Sequence, residues 1–227
     1  MASNAPGACC LERTFHVNTY VTGEKSDKVI VILTDVYGNK FNNVLLIADE
    51  LSKNGYYVLI PDILKGDVCT PETDIVGTWL PKHSSEITRP IVESFINELT
   101  KDIDTKFLGL IGYCYGAKYV VQQLTNSTKV TAGAIAHPSF VSIDEVSQIT
   151  KPILISAAEV DSIFTDDLRR ETELKLREIK ARYQIDFFGG VSHGYSVRGD
   201  ISNEVVKYAK EKTLYDQLYW FNTFAGK

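Results

Sequence analysis

A doubly wound α/β sheet is the architecture this sequence predicts, and three observations carry the prediction. Continuous apolar runs of strand length recur along the chain, as expected for strands covered on both faces. Helical periodicities fill the intervals between them. No internal repeat, low-complexity tract or Pro/Gly/Ser linker interrupts the alternation, so residues 1–227 read as one unit with residues 1–14 a flexible N-terminal tail.

The elements follow in order. An edge strand is expected around Phe15 to Tyr20, then strands at "VIVIL" (29–33), "YVLI" (57–60), "FLGLI" (107–111), "TAGAI" (131–135), "ILISA" (153–157) and "QIDFF" (184–188). Phe41, Val44, Leu45, Ala48 and Leu51 keep the three- and four-residue spacing of an amphipathic helix, and Asn54-Gly55 offers it a left-handed C-cap. Further helices are expected over 86–101, 115–125 and 165–180, the last with the alternating charge of a solvated face. From 203 to 223, Leu214, Leu218 and Phe221 fit a final helix on the sheet. The irregular stretch 62–85 is expected to cover the carboxyl ends of the strands, where sites in such sheets form.

With 44% hydrophobic and 23% charged residues, the chain can bury a substantial core. A net charge of −5 and pI near 5.4, without a Lys/Arg block, disfavour a nucleic-acid or anionic-membrane surface. "MASNAPGACC" has no basic segment followed by an apolar one, which favours a soluble, cytoplasmic protein. Cys9, Cys10, Cys69 and Cys114 make no pair of CxxC units, so neither a metal site nor a disulfide framework is indicated. The first three read as unpaired thiols, and no cofactor motif is present: "GLIGYCYGAK" has the spacing of neither GxGxxG nor GxxxxGK[ST].

Cys114 is different, because Gly112 and Gly116 flank it at two residues on either side, after an apolar run and before the helical "AKYVVQQL". A nucleophile elbow has that spacing, since the chain reverses sharply between strand and helix. The alternative is a small buried thiol where helix and strand approach closely. An elbow hydrolase needs an acid and then a histidine downstream; Asp161 follows "ILISA" and His193 follows "QIDFF", at the same sheet edge. A free thiol is only a few per cent ionised at neutral pH, so it needs a base such as His193, oriented by Asp161. Glu159 is the rival acid on the same loop. Backbone donors for an oxyanion are expected from Tyr115, after the nucleophile, and from Val36 in "TDVYGNKF". Asp35 would stand beside the thiol and govern its proton, or cap the helix beginning near Lys40.

These residues resemble the dienelactone hydrolases (carboxymethylenebutenolidases), and their fungal branch most closely. The resemblance runs from "VILTDVYGNKFNNVLLIADELSKNGYYVLIPDIL" through "GYCYGAKY" and "AHPSF" to "HGYSVRGD". It implies an α/β-hydrolase fold: a mostly parallel sheet of about seven or eight strands with helices on both faces. It implies a carboxylic ester hydrolase acting on a small ester or lactone through a thioester on Cys114, with Asp161 as triad acid and His193 as base. Asp35 stands where the family usually has a glutamate that controls the thiol's protonation. Arg198 matches the arginine that binds a substrate carboxylate. A second such arginine is not evident; Lys82 or Arg89 would substitute, although lysine lacks the bidentate fork.

Tyr37, Trp79 and Tyr115 are either pocket walls or simply packing aromatics. His137, in "AHPSF", either touches substrate or fixes its loop, and His83 is a candidate for the mouth. A non-catalytic or redox-sensing protein with a reactive thiol is the alternative from another class, and a thioesterase or transacylase would share the triad. The expected partner is a small molecule, and the expected state monomer or homodimer.

Overall fold

The computed structural model describes residues 15–226, so the expected tail over residues 1–14, with Cys9 and Cys10, lies outside the described residues. Seven strands form one sheet: β1 (Thr19–Thr22), β2 (Lys28–Leu33), β3 (Tyr57–Pro61), β4 (Phe107–Tyr113), β5 (Ala132–Ala136), β6 (Ile153–Val160) and β7 (Tyr183–Ser192). Their spatial order is β1-β3-β2-β4-β5-β6-β7, with β1 antiparallel to β3 and the remaining pairs parallel.

The helices are α1 (Asn42–Lys53), α2 (Ser85–Asp102), α3 (Tyr115–Gln123), α4 (Ile143–Ser147), α5 (Asp166–Glu178), α6 (Tyr195–Arg198) and α7 (Glu204–Ala225). Within 62–85, a π-type turn over Ile75–Trp79 leads into a 3-10 turn over Leu80–His83. The short α4 and α6 were not expected from periodicity, because neither spans two turns. Instead α4 is set by a capping box, Ser142 and Glu145 each bonding the other's backbone N–H.

Strand alternation divides the core between two faces. Val29, Val31 and Leu33 of β2 pack with Val92, Phe95, Ile96 and Leu99 of α2. Ile30 and Ile32, pointing the other way, pack with Val44, Leu45, Ala48 and Leu51 of α1 and with Trp220 and Phe221 of α7. Burying each such side chain stabilises the fold by about 1.5–3 kcal/mol. The helix ends follow local chemistry: Thr165 caps α5 through Leu168 N–H, Asp166 and Asp167 open it and Lys175 and Arg177 close it, matching its dipole. Trp220 of α7 donates its Nε1–H to the Gly133 carbonyl at 3.1 Å, fixing the helix to β5.

The strand order reverses between β2 and β4. α1 carries the chain from β2 to one side, and α2 returns it to the other. A crevice opens at the carboxyl ends of these two strands. Leu33 pairs with Gly112 there, so Asp35 and Cys114 emerge side by side.

Candidate active site

β4 ends at Tyr113 and α3 begins at Tyr115, leaving Cys114 to reverse the chain at φ 50°, ψ −110°. A non-glycine residue held there costs on the order of 1–3 kcal/mol and persists only where its surroundings over-determine it. Cys114 N–H donates to the Ala136 carbonyl at 3.2 Å, and the Cys114 carbonyl accepts from Ala117 N–H at 3.2 Å and Ser139 N–H at 3.0 Å. Both flanking glycines are required by close approach: a Cβ on Gly112 would lie 2.6 Å from Ala117 Cα, and one on Gly116 2.7 Å from the Thr34 carbonyl oxygen. They let α3 start hard against the ends of β2 and β4.

Three side chains meet in a line at this elbow. Cys114 Sγ lies 3.1 Å from His193 Nε2, and His193 Nδ1 lies 2.8 Å from Asp161 Oδ2. Asp161 is itself fixed, its Oδ1 accepting from Ile163 and Phe164 N–H at 2.9 Å each. Burial works against a charged His193, yet its bonds to Asp161 and Cys114 prevail and push its pKa up to about 9. Burial also works against an ionised Asp161, but His193 and the two backbone donors hold it below the usual carboxylate range.

Glu159 is excluded from this line. Its Oε2 accepts Gly190 N–H at 2.6 Å, bracing β7 from the exposed side. An irregularity between Ala158 and Val160 re-aims the strand end, and the Val160 carbonyl then accepts His193 N–H at 3.0 Å. Tyr115 N–H opens α3 and has no intrahelical acceptor. Val36 N–H makes no backbone hydrogen bond among the described residues, and both amides belong to the turns that flank Cys114.

Asp35 departs from expectation. It is 2% exposed, but its Oδ1 accepts Tyr37 N–H at 3.0 Å in a turn of its own, and its Oδ2 faces Arg198 Nε at 3.3 Å. The latter is a charge pair without the alignment of a hydrogen bond. Asp35 makes no hydrogen bond to Sγ among the described residues, because its short side chain folds back on its own turn. Nor does it cap α1, which begins at Asn42 with no side-chain cap. Burial pushes the Asp35 pKa up, opposed by the Arg198 charge and the Tyr37 N–H.

Arg198 lies 5.0 Å above the Tyr37 ring. With His193, Gly194, Asn203 and Val206 these two line an open cleft of about 570 Å³. A larger groove, about 650 Å³, lies among α2, α3 and α4 and contains none of the three aligned residues. Arg89 belongs to that groove and pairs with Glu93 at 2.7 Å, so it does not supply the missing second cation. Lys82 does not either: it is exposed and lines a separate hollow with Asp67 and His83.

His137 also needs correcting as a substrate contact. It has no exposed surface, its Nε2 is 2.7 Å from Ser196 Oγ, and its ring packs edge-on at 5.1 Å from that of His193. Burial and the charges of His193 and Arg198 hold its pKa well below the usual value, so it is neutral. Ser139 went unnoticed in the sequence; its Oγ stands 3.3 Å from Cys114 Sγ and 3.4 Å from His193 Nε2.

The segment 62–85 packs down beside the elbow. Cys69 N–H bonds the Val36 carbonyl at 2.8 Å, and Trp79 donates to the Asp67 carbonyl at 2.7 Å. Trp79 stacks on His83 at 4.0 Å and meets Tyr115 edge-on at 5.2 Å, making these rings packing groups of the cover. The Tyr115 hydroxyl bridges the His83 carbonyl and the Thr88 hydroxyl at 2.7 Å each. Among the described residues no group of three His, Cys, Asp or Glu is placed to hold a metal ion, and no helix is long and apolar enough to cross a membrane.

Comparison with known proteins adds a family. The model of the dienelactone hydrolase family matches residues 17–225. The chain is 36% identical to the hydrolase tropI of Talaromyces stipitatus, covering 98% of this chain and 92% of that protein. It is 30% identical to dienlactone hydrolase 1 of Gibberella moniliformis, covering 96% and 94%. In structure it is similar to the dienelactone hydrolase from Anabaena variabilis, with a TM-score of 0.69 at 12% identity over 93% and 94% of the two chains.

Proposed function

Since the chain belongs to the dienelactone hydrolase family, and so is a carboxylic ester hydrolase of small esters or lactones, we propose that Cys114 is its nucleophile. The observation that carries this reading is the unbroken line from Sγ through the imidazole to a buried carboxylate, on a strained elbow. His193 takes the thiol proton and the sulfur attacks the substrate carbonyl. The carbonyl oxygen, now negative, falls to the Val36 and Tyr115 N–H groups. The imidazolium returns its proton to the departing alkoxide, leaving a thioester on Cys114. Water then gives a proton to His193 and adds to the thioester, and the thiolate departs as the acid forms. Asp161 keeps the Nδ1 proton facing itself, so that Nε2 is the basic nitrogen.

Arg198 is the group that would select a substrate carboxylate, because it is the guanidinium lining the cleft beside His193. Its partner in the free protein is Asp35, so an anionic substrate competes with that carboxylate for it. The test is a panel of neutral and carboxylate-bearing esters and lactones, with Cys114→Ala as control and mass spectrometry of quenched reactions. A thioester on Cys114 is expected. Turnover undiminished in Cys114→Ala sinks the assignment, and rapid thiol labelling without turnover of any ester would point instead to a redox-sensing thiol.

A further inference from the structure

A third polar side chain meets the thiol and imidazole, and the acid-base line does not account for it. Ser139 is fully buried, with Oγ 3.3 Å from Cys114 Sγ and 3.4 Å from His193 Nε2. It arrives on the loop after β5, the strand beside β4, and its N–H donates to the Cys114 carbonyl at 3.0 Å. That bond fixes the hydroxyl relative to the elbow itself. The residues bracketing it are strained: His137 has φ 37° and Phe140 φ 60°, and neither is glycine. Both are tied in place, His137 N–H to the Ser156 carbonyl and the Phe140 carbonyl to Lys118 Nζ, each at 2.8 Å. Unfavourable backbone on either side of one buried hydroxyl persists only where the surroundings over-determine it, and such strain clusters at functional sites.

We propose that Ser139 is a catalytic residue whose O–H donates to the Cys114 sulfur in its ionised state. The proposal rests on the reading of Cys114 as nucleophile. When the thiol proton has passed to His193, Nε2–H and Ser139 O–H both point at an anionic sulfur, which accepts two charge-assisted hydrogen bonds. When thiol and imidazole are both neutral, a single proton lies between Sγ and Nε2, and the hydroxyl faces only a weak sulfur acceptor. Ser139 therefore favours the charge-separated pair over the neutral one and raises the thiolate fraction at neutral pH.

The test is the pH dependence of Cys114 alkylation by iodoacetamide, read at that residue by mass spectrometry, in the full chain and in Ser139→Ala. The alkylation midpoint is expected to rise by about one pH unit, an about tenfold slower reaction below the midpoint, equivalent to about 1.4 kcal/mol. The acid limb of kcat/KM should move with it, which a packing role alone would not cause. An unchanged midpoint in folded Ser139→Ala overturns the proposal while leaving the nucleophile in place. A wild-type Cys114 that reacts only as an ordinary free thiol overturns both. Should Ser139→Ala not fold, Ser139→Cys places a weaker donor at the same point; its midpoint is expected above wild type, and a wild-type midpoint overturns the proposal.

Discussion

Asp161→Asn perturbs the relay where its geometry is tightest. One carboxylate oxygen accepts two backbone N–H groups at 2.9 Å and the other faces His193 Nδ1 at 2.8 Å. An asparagine in the same place keeps its carbonyl on the two backbone donors, because turning it would set its NH2 against them. The NH2 then faces Nδ1, which must accept, and the imidazole proton moves to Nε2. That nitrogen is the one 3.1 Å from Sγ, so the thiol loses its base. Burial opposes a charged His193, and Asp161 is one of the two partners that nonetheless raise its pKa. Its loss makes the imidazole a weaker base, and the wrong tautomer adds more, up to the ~10⁴-fold loss seen for this substitution in a serine triad. We expect kcat/KM on an activated ester to fall by about 10²–10⁴-fold, with slower Cys114 alkylation near neutral pH. A loss below about tenfold with an unshifted acid limb would refute the tautomer argument.

Other consequences are as direct. Arg198→Ala should weaken carboxylate-bearing substrates by about 1.5–3 kcal/mol and spare neutral esters, a comparison of KM across the panel; equal losses would reject a carboxylate-binding role. The same variant leaves Asp35 buried without its cation. Its pKa, already raised, rises further, so urea unfolding should find Arg198→Ala closer to wild-type stability at pH 5 than at pH 7. His193 is raised on folding, so its contribution to stability is complete below about pH 6.5 and fades as pH rises through about 9; the Asp161 contribution, with a lowered pKa, fades only in acid. Stability curves for His193→Gln should therefore approach wild type as pH climbs from 6.5 to 9. Gly116→Ala should lower the unfolding free energy by about 1–3 kcal/mol or more, since its methyl meets backbone that α3 cannot leave without moving Cys114; an unchanged unfolding free energy in urea would contradict that packing.

The sheet was legible because strands buried on both faces are apolar throughout, and runs as short as "FLGLI" or "ILISA", alternating with helical patterns, have strand length and not helix length. The elbow was legible because two close approaches fix two glycines around Cys114. Asp161 was preferred over Glu159 from the sequence, and the coordinates add the separation: beyond the strand irregularity between Ala158 and Val160, Asp161 meets the imidazole while Glu159 turns to the Gly190 N–H. Ser139, by contrast, was hidden. A serine after a strand has no period and no required neighbour, and its proximity to Sγ depends on two strained residues that the sequence does not mark. For Asp35, spacing placed the residue beside the thiol, while the direction of its carboxylate follows from the Tyr37 N–H of its own turn and from Arg198, more than 160 residues away in the chain.

Tyr115 is the residue whose amide opens α3, and its hydroxyl anchors the segment beside the elbow through the His83 carbonyl, while also meeting Thr88 of α2. Cys69 ties the same segment to Val36 on the other side. A segment tied to both residues cannot swing away without disturbing the turns that carry their N–H groups beside Cys114. Under the proposed function, small molecules would then reach Cys114 through the cleft that Tyr37 and Arg198 line, with this segment left in place.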